Sequence, residues 1–263
     1  MIANPLGLAL DPDRSIRDQI HEAARLGARG VVLEAAGDLA PHRLGETARR
    51  ELKHLLRSTE LALVAMVLPT RRPFDSTDQL DERIRRADAT FALAHELGTP
   101  LVLVRAGAAP AKDDEPRLEL FTTAIRLLAA RADHRGARLA LETGSEPVLR
   151  LNEFLTEEAN PFLGASLDPA GLLLAGLDPI EAARQFGPRL LHAYASDAVG
   201  RARTLVSNPR GSGFPSGALD WEEYVGALEE IGYRGFLTVR PDPGRDPAAQ
   251  FAQIVSRIPG LSR

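Results

Sequence analysis

The chain has no cysteine at all. Disulfides, thiol nucleophiles and thiolate metal sites are therefore excluded, and a reducing cytoplasm is the compatible and expected location. Long apolar runs are missing too. None approaches the roughly 18 residues that cross a bilayer, and the N-terminus lacks a basic stretch followed by an apolar one. There is no large charge excess. A formal net charge of -4 supplies no basic surface for nucleic acid or an anionic membrane, so neither is expected as a partner. Finally, the turn after the first apolar run, Leu8-Ala9-Leu10-Asp11-Pro12, has none of the glycines that a doubly wound sheet places around a phosphate.

What is present is regular. With 263 residues, 44% apolar and 26% charged, the chain can bury one large core. Apolar runs of strand length fall at Ile2–Leu10, Gly30–Ala35, Leu61–Leu68, Leu101–Ala106, Arg138–Thr143, Phe162–Asp168, Leu190–Ser196 and Gly235–Arg240. Segments of helical period separate them: Arg14–Leu26, Glu46–Arg57, Asp78–Leu97, Pro116–Ala132, Val148–Glu158, Pro179–Phe186, Asp220–Ile231 and Pro247–Ile258. Glycine follows several helices, as in Leu26-Gly27, Leu97-Gly98 and Ile231-Gly232. Eight strand–helix units of about 30 residues each predict a (β/α)8 barrel, and no composition shift divides residues 1–263 into two domains. Two connections are long. Residues 70–77 carry Arg71 and Arg72, and residues 198–219 carry Arg201, Arg203 and Arg210. These arginines read as solvated side chains that together could attract an anion.

The stretch Leu139–Leu172 holds two carboxylates at successive strand tips, Glu142 and Asp168. A barrel puts its chemistry at that end of its strands, so the two form a candidate pair for a divalent metal or for proton transfer. The alternative is that each acid caps the turn or helix that follows it.

Glu142-Thr143-Gly144, Asp168-Pro169-Ala170-Gly171, the run Leu191–Asp197, Gly211-Ser212-Gly213, Asp220-Trp221 and the run Tyr233–Val239 occur in an order that resembles the xylose isomerase-like TIM barrels, the sugar isomerases and epimerases related to endonuclease IV. The resemblance implies one divalent cation (Mn, Co, Zn or Mg) held by Glu, Asp, His and Glu on strands five to eight, with the two Glu exchanging a substrate proton from opposite faces. Glu142 and Asp168 match the first two positions. The strand-seven position, three residues before Asp197, is Tyr194, and the strand-eight position is Arg240.

Those departures redirect the reading. The family set carries a formal -3, which a divalent ion brings to -1; Glu142, Asp168, Tyr194 and Arg240 total -1 with no ion. An added metal would crowd a fixed guanidinium in a low-dielectric pocket. The expectation is a site without metal or other cofactor, Glu142 and Asp168 being vestigial ligand positions. Glu142 and Arg240 are the catalytic candidates, as a single proton-shuttling base and a cation that could stabilise an enediolate. Asp168, Tyr194, His192, Glu34 and Arg105 are the substrate-binding candidates. For His192, two residues before Tyr194 and one layer deeper, the competing reading is a satisfied core histidine. For Glu34 and Arg105 it is a structural ion pair. If Arg240 points inward, it meets Glu142 and Asp168. Asp220 reads as a helix N-cap and Trp221 as packing.

Three functions follow. The first is an isomerase- or epimerase-like barrel that binds a sugar, sugar phosphate or sugar acid, with altered catalysis. The second is a non-catalytic carbohydrate-binding or regulatory relative. The third, a metal-dependent phosphodiesterase, is disfavoured by only six histidines and the acidic net charge. Family barrels often pair through helices or lid loops, which implies a homodimer.

Overall fold

The computed structural model describes residues 4–144, 148–198, 219–242 and 244–258. Eight strands run in chain order: β1 (Leu6–Ala9), β2 (Gly30–Glu34), β3 (Ala62–Leu68), β4 (Leu101–Val104), β5 (Arg138–Glu142), β6 (Leu163–Leu167), β7 (Leu190–Ala195) and β8 (Leu237–Val239). Each pairs in parallel with the next, and β8 returns to β1 through Leu6↔Leu237 and Leu8↔Val239. The expected single-domain TIM barrel is therefore what the chain forms. Helices α1 (Ile16–Arg25), α2 (Glu46–Ser58), α3 (Leu80–Leu97), α4 (Glu115–His134), α5 (Val148–Glu158), α6 (Pro169–Leu174), α7 (Pro179–Phe186), α8 (Trp221–Glu230) and α9 (Pro247–Val255) surround it. Among the described residues no helix is long and apolar enough to cross a membrane.

Helix α6 was not expected from the pattern. Six residues are too few for a 3.6-residue period to show, and Gly171 in its middle argues locally against a helix. At α8 the cap acts as its residue type dictates. Asp220 accepts from the Glu223 amide, and Trp221 packs into the core at 7% exposure, as anticipated. Gly98 ends α3 at φ +98°, a conformation that any Cβ would strain.

Period-two alternation sorts each strand into two faces. Val31, Leu33, Val102, Val104, Leu139 and Leu141 belong to the large core under the helices. Val32, Ala65, Leu103, Ala140 and Tyr194 form a separate buried cluster, the filling of the barrel itself. Glu34, Arg105 and Glu142 stand two residues beyond Val32, Leu103 and Ala140. They lie on the inward face at the C-terminal mouth, where barrel loops carry function.

One wall of that mouth is tied down. The loop after β3 is held to the tip of β4 by Thr70 Oγ1 donating to the Arg105 carbonyl (2.8 Å) and by the Phe74 amide donating to the Ala106 carbonyl (2.7 Å), with Phe74 fully buried. Arg71 is exposed, and Arg72 is an exposed ion-pair partner of Asp78. The long connection after β7, with Arg201, Arg203 and Arg210, lies outside the described residues from 199 to 218.

Candidate functional site

The strands bring Glu34, Arg105, Glu142, Asp168, Tyr194 and Arg240 to one end of the barrel. Arg240 does point inward. Its Nη1 donates to Asp168 Oδ2 at 2.9 Å and its Nη2 pairs with Glu142 Oε1. The other Glu142 oxygen, Oε2, accepts from Arg105 Nε at 2.9 Å. The remaining Asp168 oxygen, Oδ1, accepts from Ser196 Oγ at 2.7 Å. The result is one unbroken chain, Ser196–Asp168–Arg240–Glu142–Arg105.

Neither carboxylate is a helix cap. Asp168 occupies the N-cap position of α6, but its side chain makes no capping bond there. Ser196 instead bridges, accepting from the Ala170 amide while it donates to Asp168. Ser196 escaped the sequence reading. Its signal was its place two residues after Tyr194, which puts a hydroxyl on the inward face. Thr143 also contributes, its Oγ1 accepting from the Asp168 amide at 2.9 Å and joining the tips of β5 and β6.

The electrostatics follow from burial against pairing. Burial alone would push the Glu142 carboxyl up, yet Arg240 and Arg105 hold it below the usual range, so it is ionised. Burial alone would lower the Arg240 guanidinium; the charges around it, Glu142 foremost, raise it instead. Tyr194 is fully buried and its phenol is pushed well above its ordinary value, by burial first and the Glu142 charge second. A phenol that resists ionisation is a poor metal ligand. Its hydroxyl is near enough to Glu142 to feel the carboxylate, but no oriented hydrogen bond joins it to a described residue.

Arg240 lies over the Tyr194 ring, Cζ 3.6 Å from the centroid. Beneath that ring, His192 packs edge-on at 4.4 Å between centroids. His192 is wholly buried, with Nδ1 hydrogen-bonded to Ser166 Oγ and Nε2 to Thr238 Oγ1, both at 2.9 Å. Its placement among the substrate-binding candidates is corrected: it is a satisfied core histidine, sealed from the mouth by Tyr194. Burial depresses its pKa to about 3, so it is neutral. Asp197 is likewise structural, accepting from the Leu219 amide and from Arg257.

Arg105 and Glu34 form the open side. The Arg105 side chain is 68% exposed and only its Nε is engaged with a described residue. Glu34 makes no hydrogen bond or ion pair with any described residue, and burial raises its carboxyl despite the opposing charge of Arg105. Three carboxylates and two guanidiniums therefore line the mouth. A divalent cation does not fit this arrangement. The point where Glu142 and Asp168 converge is filled by Arg240, and no cluster of three His, Asp or Glu suited to a metal exists among the described residues.

Residues 20–258 match the model of the xylose isomerase-like TIM barrel family, and the chain belongs to that family. Over 91% of its length it is 26% identical to the uncharacterized protein YfiH of Bacillus subtilis, covering 95% of that protein. It is 29% identical to the 3-dehydroshikimate dehydratase of Pseudomonas putida over 62% of this chain, but only 26% of that longer protein. The fold is shared with a xylose isomerase domain protein from Planctomyces limnophilus (TM-score 0.79, 21% identity, 96% of this chain and 94% of that one). It is shared also with the D-psicose 3-epimerase of Clostridium cellulolyticum, solved with D-tagatose (TM-score 0.71, 16% identity, 94% and 89%).

Proposed function

We propose that this protein binds a small sugar or sugar acid at the barrel mouth and acts on it by proton transfer beside a carbonyl, with a fixed arginine in place of the divalent cation. The observation that carries the reading is Arg240 joined to both Glu142 and Asp168. A metal's tasks are to gather the two carboxylates and to present positive charge to substrate oxygens. Arg240 does the first. Arg105, anchored through Nε alone, does the second: its two Nη groups can take vicinal oxygens or a carboxylate in bidentate fashion and stabilise an oxyanion as it forms. The epimerase and dehydratase names among its relatives agree with chemistry beside a carbonyl.

A second reading, a non-catalytic carbohydrate-binding relative, is favoured by one feature. Each Glu142 oxygen faces a guanidinium, which leaves the expected base with low proton affinity.

Metal content by mass spectrometry tests the replacement, after incubation with Mn, Co, Zn and Mg ions and desalting. Wild type is expected to retain none, and the double variant Tyr194→His/Arg240→Glu about one ion per chain. A stoichiometric ion in wild type overturns the reading.

A further inference from the structure

We propose that Glu34, not Glu142, is the group that carries the substrate proton, with the substrate's carbonyl oxygen held on Arg105. The proposal rests on the reading above and names the residue that would perform its chemistry.

A proton carrier needs an oxygen that is both reachable and free. Three carboxylates face the mouth. Glu142 presents Oε1 to Arg240 and Oε2 to Arg105, and its side chain is 2% exposed. Asp168 presents Oδ1 to Ser196 and Oδ2 to Arg240. Each is a charge-balancing anchor whose protonation would unpair the Arg240 guanidinium. Glu34 alone of the three has no partner among the described residues. It stands inward at the tip of β2, above Val32, and it is half-buried. The same loss of water that disfavours its charge makes it a stronger base than an ordinary glutamate, the environment a carboxylate needs to work near neutrality.

The step balances as follows. A Glu34 oxygen takes the proton from the carbon beside the carbonyl. The C–H pair becomes the new C=C bond, and the carbonyl π pair moves to oxygen as an enolate facing the Arg105 Nη groups. Reversal returns the proton from the Glu34 carboxylic acid to carbon. While Glu34 holds that proton, solvent can exchange it. With Glu34 the one carboxylate of the three at the mouth that has no partner among the described residues, the proton leaves and returns on one face. That suits a shift between neighbouring carbons and does not supply the second base that inversion requires.

The test is deuterium incorporation from D2O, followed by NMR, into D-tagatose, D-allulose and 3-dehydroshikimate at saturating concentration. Wild type, Glu34→Gln and Glu142→Gln are compared, with binding measured by calorimetry and folding by circular dichroism. The expected result is exchange in wild type with at least one compound, reduced at least about 100-fold in Glu34→Gln while that compound still binds. The wild-type rate should rise with pH through a value above the ordinary glutamate range. Burial is the first cause that raises that value; the Glu142 and Asp13 charges add to the rise and the Arg105 and Arg240 charges oppose it. Exchange undiminished in Glu34→Gln overturns the assignment and leaves the functional reading standing. No exchange by wild type with any compound overturns both.

Discussion

The guanidinium of Arg240 rests on the face of Tyr194, Cζ 3.6 Å from the ring centroid, while its two Nη atoms reach Asp168 and Glu142. The ring fixes the height of the cation and the carboxylates fix its rotation. The two side chains are therefore one unit: Tyr194 on β7 supplies the floor on which Arg240, just past the end of β8, lies.

Removing that cation should leave two carboxylates facing each other. Arg240→Met is expected to cost about 3–5 kcal/mol at neutral pH, as for other buried pairs deprived of one partner. The sign with pH is fixed by Glu142, whose folded-state carboxyl lies below its unfolded value. Its pairing stabilises above the ordinary carboxylate range and is lost as pH falls through the folded-state value. Urea denaturation should thus show the gap between wild type and variant narrowing on acidification. A gap that is constant with pH would remove Glu142 from the account.

His192 contributes a second acid dependence. Its pKa is depressed to about 3, so the unfolded chain binds the proton that the folded chain refuses. The stability linked to this group is complete above its unfolded value of about 6.5 and falls by roughly 1.4 kcal/mol per pH unit below it. His192→Gln keeps polar contacts for Ser166 and Thr238 but cannot titrate there. Its denaturation midpoint should be lower than wild type at pH 8 and should fall less steeply between pH 6.5 and 4. Parallel slopes would show that His192 is not buried neutral.

Tyr194→Phe isolates the hydroxyl from the ring. The ring's support of Arg240 is kept and a buried oxygen without an oriented partner is lost. The melting temperature should stay level or rise, a gain of up to about 1 kcal/mol. A loss of more than that would mean the hydroxyl donates to Glu142 in solution.

Alternation of apolar runs with helical segments was sufficient to define the barrel, because each strand must be apolar on both faces where helices cover it and each helix must be amphipathic. The same local logic marked Glu34, Arg105, Glu142, Asp168 and Arg240 as strand-tip side chains, since position along a strand decides which end of the barrel a residue reaches. It missed α6, which is too short to have a period, and Ser196, whose hydroxyl had no visible partner. Which oxygens are engaged was beyond it altogether. Glu142 and Arg240 are 98 residues apart, and their pairing depends on closing β8 beside β1. Arg105 and Glu34 looked equivalent in the chain, each a charged residue ending a strand. The closed barrel gives Arg105 to Glu142 and leaves Glu34 without a partner among the described residues, because pairing between charges is set by distances through space and by the water that burial removes, and neither is a property of the sequence read along its length.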